Sequence, residues 1–202
     1  HRLRVPRPVA ARLSARFSGL ENELNFPLIC KTIEHISSRL SEGAILVFLT
    51  GWFEISDCIK ELQRSPMWHM WQVFPLHSRM PTAEQQAIFL PPLPDRRKII
   101  ISTNLAETSV TVEDVVFVLD CGFIKLSVHS PDTKITTLES VPISKANAQQ
   151  RRGRAGRCRP GILFRLYTSL EYERFDDYLK PEMVRTPVEE LVLRIKALQP
   201  GE

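Results

Sequence analysis

Short runs of β-type apolar residues recur along the chain, and an amphipathic stretch separates most of them. In order they are AILVFL (44–49), a segment near 53–64, QVFPL (72–76), a segment near 82–90, KIIIS (98–102) and VVFVLD (115–120). A strand that is apolar throughout has both faces covered, and strands joined through helix-length crossovers run parallel. The alternation therefore predicts an α/β fold, a parallel sheet flanked by helices. Ahead of the first run, Leu28, Ile29, Ile33, Ile36 and Leu40 keep helical spacing, with Asn25 placed to cap and Pro27 in the first turn.

The pattern then changes. FIKLSVHS (123–130) and KITTLESV (134–141) flank Pro131, Asp132 and Thr133, which predicts a projecting antiparallel β-hairpin. A helix near 144–152, a strand at 161–167 and a helix near 188–198 follow. The 202 residues suit one domain better than two. Pro6 and Pro8 interrupt the opening stretch, so residues 1–20 read as a basic linker or arm and 21–202 as the domain. The start at His1 and the abrupt stop at Pro200-Gly201-Glu202 are expected of a piece cut from a longer protein, before downstream accessory domains.

No apolar run approaches the ~20 residues that span a bilayer, and the start lacks the apolar core of a secretory signal, so no membrane partner is expected. Cys30, Cys58, Cys121 and Cys158 show no paired spacing and no neighbouring His at metal-ligand distance, as expected of reduced thiols inside a cell, in cytoplasm or nucleus, with no bound metal. Charge is unevenly placed. The net charge is +4, yet residues 1–20 hold five arginines and no acid, and residues 149–165 hold six arginines and no acid, leaving −7 on the rest. Focused basic charge of this kind calls for phosphate.

The second basic stretch reads Gln150-Arg151-Arg152-Gly153-Arg154-Ala155-Gly156-Arg157. Glycines permit close approach of backbone and ligand, and arginines three apart would project from one side of a helix as a clamp on a polyphosphate. A plain solvated basic face would not need the interleaved Gly-x-x-Gly or the Gln.

This stretch resembles motif VI of superfamily 2 helicases, and SKANAQQRRGRAGRCRPG (144–161) resembles its DEAH-box form. ILVFLTG (45–51) is similar to motif IV, PLHSRMP (75–81) to motif IVa and STNLAETSVTV (102–112) to motif V, in the same order, with PEMVRTPVEELVLRIKAL (181–198) as the exit. The resemblance covers roughly residues 40–198 and points to the second RecA-like domain of a DEAH-box (DExH) RNA helicase, in the RNA helicase A-like branch.

The resemblance implies an ATP site between two RecA-like domains. Gln150 and Arg154 would approach the γ-phosphate and Arg157 would serve as the arginine finger, while Arg151 and Arg152 have weaker claims on the phosphate and suit a solvent- or RNA-facing role equally. Phe89 would offer a ring to the adenine, although a Phe after a helical run also suits a core. Ser109 and Glu113 would face the nucleotide, Glu113 standing where the commoner family pattern has Asp. For single-stranded RNA, backbone contacts are implied for Gly51, Trp52, Ser78, Arg79, Thr103, Asn104 and Lys125. Asn104 could equally cap the helix that follows. His77 reads as a structural imidazole.

Neither a G-x-x-x-x-G-K-[ST] phosphate loop nor an Asp-Glu pair at a strand end is present. By resemblance a preceding RecA-like domain supplies both and holds most of the Mg2+, so this chain alone is expected not to hydrolyse ATP. A non-enzymatic RNA- or protein-binding adaptor that kept the fold is the alternative; Gln150, Arg154 and Arg157 weigh against it. A DNA-directed or viral relative shares the Gln-Arg-Gly-Arg core, and the AETSVT and SKANAQQR contexts favour the DEAH-box branch.

Overall fold

A computed structural model describes residues 24–108, 111–129, 136–157, 160–182, 192–193 and 196–198. Helix α1 (Phe26–Arg39) opens the fold; the Asn25 side chain accepts the Leu28 amide at 2.9 Å, and Pro27 occupies the first turn, where its missing N–H costs nothing. Ile29, Cys30, Ile33 and Ile36 form its buried stripe. Strand β1 (Ala44–Phe48) follows, then α2 (Trp52–Gln63), β2 (Trp71–Leu76), α3 (Thr82–Gln86) and β3 (Arg97–Ser102). The helix expected near 82–90 stops at Gln86 and continues as a 3-10 turn, Ala87–Phe89.

A one-turn helix, α4 (Leu105–Thr108), precedes β4 (Val115–Asp120), and β5 (Phe123–His129) pairs antiparallel with β6 (Thr136–Pro142) as the expected hairpin. Helix α5 (Lys145–Arg152), strand β7 (Ile162–Arg165) and helix α6 (Ser169–Arg174) complete the described elements. Sequence periodicity did not disclose α6, although Thr168-Ser169-Leu170-Glu171 carries a capping box: Thr168 Oγ1 accepts from the Glu171 amide and Glu171 accepts from the Thr168 amide. Of the helix expected near 188–198, residues 192–193 and 196–198 are described, and they are helical.

The main sheet runs β2-β3-β1-β4-β7 with every pairing parallel. The first strand is thus central, and the chain leaves it toward β2 and β3 on one side and later toward β4 and β7 on the other. In open parallel sheets such reversals place ligands outside the carboxyl ends of the strands. Those ends are level here: Phe48 is in register with both Ser102 and Asp120, and Leu76 with Ser102.

Alternate residues of the strands feed opposite faces. Ile45, Val47, Ile99, Ile101, Phe117 and Leu119 pack against α1 and α2, while Leu46, Phe48, Ile100 and Val118 pack with Leu76, Ile88 and Ala106 on the other face. The apolar run in each strand needs both layers, as its composition predicts. Lys98 lies within the sheet at 2 % exposure, satisfied by an ion pair with Asp114 (2.8 Å) and the Ile88 carbonyl (2.9 Å).

Candidate nucleic-acid and nucleotide interface

Past the carboxyl end of β1, Gly51 stands in extended conformation as the N-cap of α2. A Cβ there would sit 2.9 Å from Glu54 Oε2 and 3.1 Å from Lys125 Nζ, so Gly51 lies directly against the ends of these two side chains. Lys125 Nζ donates to Glu54 Oε1 at 2.6 Å. Trp52, half exposed, meets the His77 ring edge-on at 5.9 Å between centroids. His77 accepts the Arg79 amide through Nδ1 at 3.1 Å, in keeping with a structural imidazole, and burial followed by the nearby Arg79 charge pulls its pKa down.

Ser78 and Arg79 are exposed beside it. The Thr103 amide donates to the Leu76 carbonyl, which brings the start of α4 to the same sheet end. Gly51, Trp52, Ser78, Arg79, Thr103, Asn104 and Lys125 all therefore stand at the carboxyl ends of β1, β2 and β3 or at the root of the hairpin. Thr103 is buried and Asn104 exposed. Capping does not fall to Asn104: Thr103 Oγ1 is the acceptor of the Leu105 amide, at 3.5 Å, which leaves the Asn104 side chain toward solvent.

The basic octamer is divided by the end of its helix. Ser144 caps α5 with a full capping box, accepting from the Asn147 amide while its own amide donates to Asn147 Oδ1. The helix ends at Arg152, and Gly156 takes a positive φ of 75°. Arginines three apart consequently do not share one helical face. Arg154 and Arg157 lie past the helix and line one pocket with Leu46, Leu76, Ile100, Ala106, Val112 and Val115. Burial, and then the Arg157 charge, pull the Arg154 pKa down, against the opposing influence of the Glu107 carboxylate.

The close-packed glycine of this region is Gly161, where a Cβ would come within 2.4 Å of the Gly156 amide nitrogen. Gln150 is exposed on the last turn of α5, and Glu113 is exposed next to the pocket-lining Val112. Phe89 is 54 % exposed, so it is no core residue; its neighbour Ile88 belongs to the apolar layer beneath the arginines. Ser109 lies outside the described residues.

Arg151 corrects the sequence reading most. Instead of facing solvent or RNA it is wholly buried, with Nε 2.7 Å from Glu107 Oε1 and Nη1 2.8 Å from Asp120 Oδ1. Burial alone would lower its pKa, but Asp120 and Glu107 outweigh that and hold it charged. The third side of the guanidinium donates to the Phe123 carbonyl at 3.1 Å, and the Phe48 ring lies 4.8 Å away. Asn147 Nδ2 donates to Glu107 Oε2, while the Tyr167 hydroxyl and the Gly122 amide donate to Asp120. Sequence reasoning passed over Glu107 and Asp120; a carboxylate at the end of a wholly apolar strand was the available signal.

Residues 26–159 match the family model described as the helicase conserved C-terminal domain. The chain belongs to that family. This helicase C-terminal domain is 46 % identical over 182 residues to the DExH-box ATP-dependent RNA helicase DExH1 of Arabidopsis thaliana, covering 89 % of the chain and 18 % of that protein. It is 44 % identical over 183 residues to the human ATP-dependent DNA/RNA helicase DHX36, covering 90 % of the chain and 18 % of that protein. Among solved structures it resembles the Escherichia coli DExH-box NTPase HrpB, with a TM-score of 0.76, 28 % identity and 87 % of the chain covered against 21 % of that chain. The helicase C-terminal domain described here is thus RecA-like in fold and DExH-type in sequence, and it spans less than a fifth of the length of these two curated relatives.

Proposed function

We propose that this domain is the second motor half of an ATP-driven RNA helicase, completing an ATP site and holding an RNA strand together with a preceding RecA-like domain. Its support is the convergence of Arg154 and Arg157 on one pocket beside an otherwise apolar wall. The transferred phosphoryl group spreads negative charge over its oxygens, and preorganised guanidiniums stabilise that charge without reorganising solvent. In this reading Arg157 is the finger, Arg154 and Gln150 contact the γ-phosphate, Phe89 stacks on the adenine, and Ser109 and Glu113 face the nucleotide. The preceding domain supplies most ligands of the Mg2+.

RNA then lies across the carboxyl ends of β1 to β3, its phosphates meeting Gly51, Trp52, Ser78, Arg79, Thr103, Asn104 and Lys125. Contacts of this kind to the backbone read no sequence, which suits an enzyme that moves along any strand. Steady-state ATP hydrolysis by the full-length protein, with and without single-stranded RNA, tests the proposal. RNA should accelerate turnover irrespective of sequence, and residues 1–202 alone should show none. Hydrolysis by the isolated domain above a no-protein control, or RNA binding by the full-length protein with no ATPase, would overturn it; the second result would favour the adaptor.

A further inference from the structure

We infer that the buried Glu107–Arg151 pair is the rigid link through which an RNA strand held at the start of α4 sets the position of the nucleotide-facing residues after α5. This rests on the functional reading above and names a positioning pair within it. Three hydrogen bonds trace the path. The Glu107 amide donates to the Asn104 carbonyl at 2.9 Å, Arg151 Nε donates to Glu107 Oε1 at 2.7 Å, and the Arg154 amide donates to the Arg151 carbonyl at 3.1 Å. One end of this path is a candidate RNA contact and the other a candidate γ-phosphate contact; Gln150 precedes Arg151 directly.

The link is stiff because every oxygen in it has a donor. Glu107 grips α5 at Asn147 and Arg151, one turn apart, which fixes the rotation of that helix about its own axis as well as its distance from α4. Asp120 anchors the far side of the guanidinium in β4 and is itself held by Tyr167 and Gly122. A displacement of α4 by a bound phosphate can therefore not be absorbed by side-chain rotation; α5 must follow or the ion pair must open in a dry interior.

Stability is a poor account of the arrangement. A buried guanidinium with two carboxylates loses in desolvation most of what it gains in attraction, and apolar residues of the same volume commonly do as well. What it supplies is a single geometry shared by two helices that otherwise meet over little surface.

The test uses the full-length protein carrying Arg151→Lys or Glu107→Gln. An ammonium keeps the charge but cannot bridge both carboxylates; Gln keeps the shape of Glu107 and removes its charge. ATPase turnover is measured without RNA and at saturating single-stranded RNA, with RNA affinity and ATP KM alongside. The ratio of RNA-stimulated to RNA-free turnover should fall by about tenfold or more, because RNA-free turnover falls far less than the stimulated rate, while RNA affinity stays near that of the parent. Parallel loss of both rates would reduce the pair to a structural support, and an unchanged ratio would remove it from the coupling path; either overturns the inference. If Arg151→Lys does not fold, Glu107→Gln carries the same test. A parent protein whose turnover ignores RNA would instead overturn the functional reading on which the link depends.

Discussion

The Lys125 ammonium stands 2.6 Å from the Glu54 carboxylate, each side chain about a quarter exposed, so the root of the hairpin is tied to the first turn of α2. Glu54 places a negative charge on the face proposed for RNA phosphate and occupies the cation that phosphate would use. Glu54→Gln should therefore tighten single-stranded RNA binding by about two- to fivefold at low salt, and the gain should fade as salt screens it. Fluorescence anisotropy across a salt series measures this. Weaker or unaltered binding at low salt would move the RNA away from Lys125.

Arg157 is exposed at the mouth of the pocket it shares with Arg154. If it meets charge that develops only as the phosphoryl group transfers, Arg157→Ala in the full-length protein should lower kcat by about 10³ or more and leave ATP binding little changed. Arg157→Lys should stay impaired, because one ammonium does not replace a planar fork. Arg152 is exposed and, among the described residues, reaches Gln149 at 3.5 Å, so Arg152→Ala should keep most turnover. Near-normal kcat for Arg157→Ala would reassign the finger.

Two glycines in and just after the basic octamer should respond unequally to alanine. At Gly161 the new Cβ would sit 2.4 Å from the Gly156 amide nitrogen, and backbone cannot swing aside as a side chain can. Gly161→Ala should destabilise the domain by about 2 kcal/mol or more and lower ATPase by displacing the turn that carries Arg154 and Arg157. Gly153 has a helical φ of −65° and only carbonyl oxygens near its Cβ position, the closest at 3.3 Å. Gly153→Ala should change stability by no more than about 1 kcal/mol. Urea denaturation of the two variants decides between them, and equal effects would contradict the packing described.

Burial pushes the Cys58 thiol up to about 12 and raises Cys121 as well. In the unfolded chain a thiol ionises near pH ~8.5, so below that pH both states are protonated and this contribution to stability is complete. Above it the unfolded state loses protons that the folded state keeps, and stability falls with pH, by up to about 1.4 kcal/mol per pH unit for each thiol. Urea titrations from neutral to alkaline pH should show that decline, and Cys58→Ala should make it shallower. A slope unaffected by Cys58→Ala would mean that Cys58 ionises freely in the native fold.

Much of the architecture was legible because burial on both faces leaves a plain mark. AILVFL, KIIIS and VVFVLD are each apolar without alternation, and each is a strand inside the parallel sheet. Asn25 and Pro27 announced the first helix, and the hairpin followed from two alternating runs around Pro131 and Asp132. The family was readable for a different reason: the segments that carry the resemblance are short and ordered along the chain, so their order and spacing are visible without any coordinates.

The direction in which a side chain points depends on where its helix stops and on what stands across from it, and for the arginines of the basic octamer neither was written in the local sequence. The helix ends at Arg152, so Arg154 and Arg157 lie past it and line the pocket, while Arg151, still within the helix, faces the interior. Arg151 is buried only because Glu107 and Asp120, 44 and 31 residues earlier, arrive at the same point from α4 and β4. Local sequence determines which segments become strands and helices, since propensity and periodicity act over a few residues. Whether a charge meets water or two carboxylates is decided by contacts far apart in the chain, and those exist only once the sheet has brought β4, α4 and α5 together.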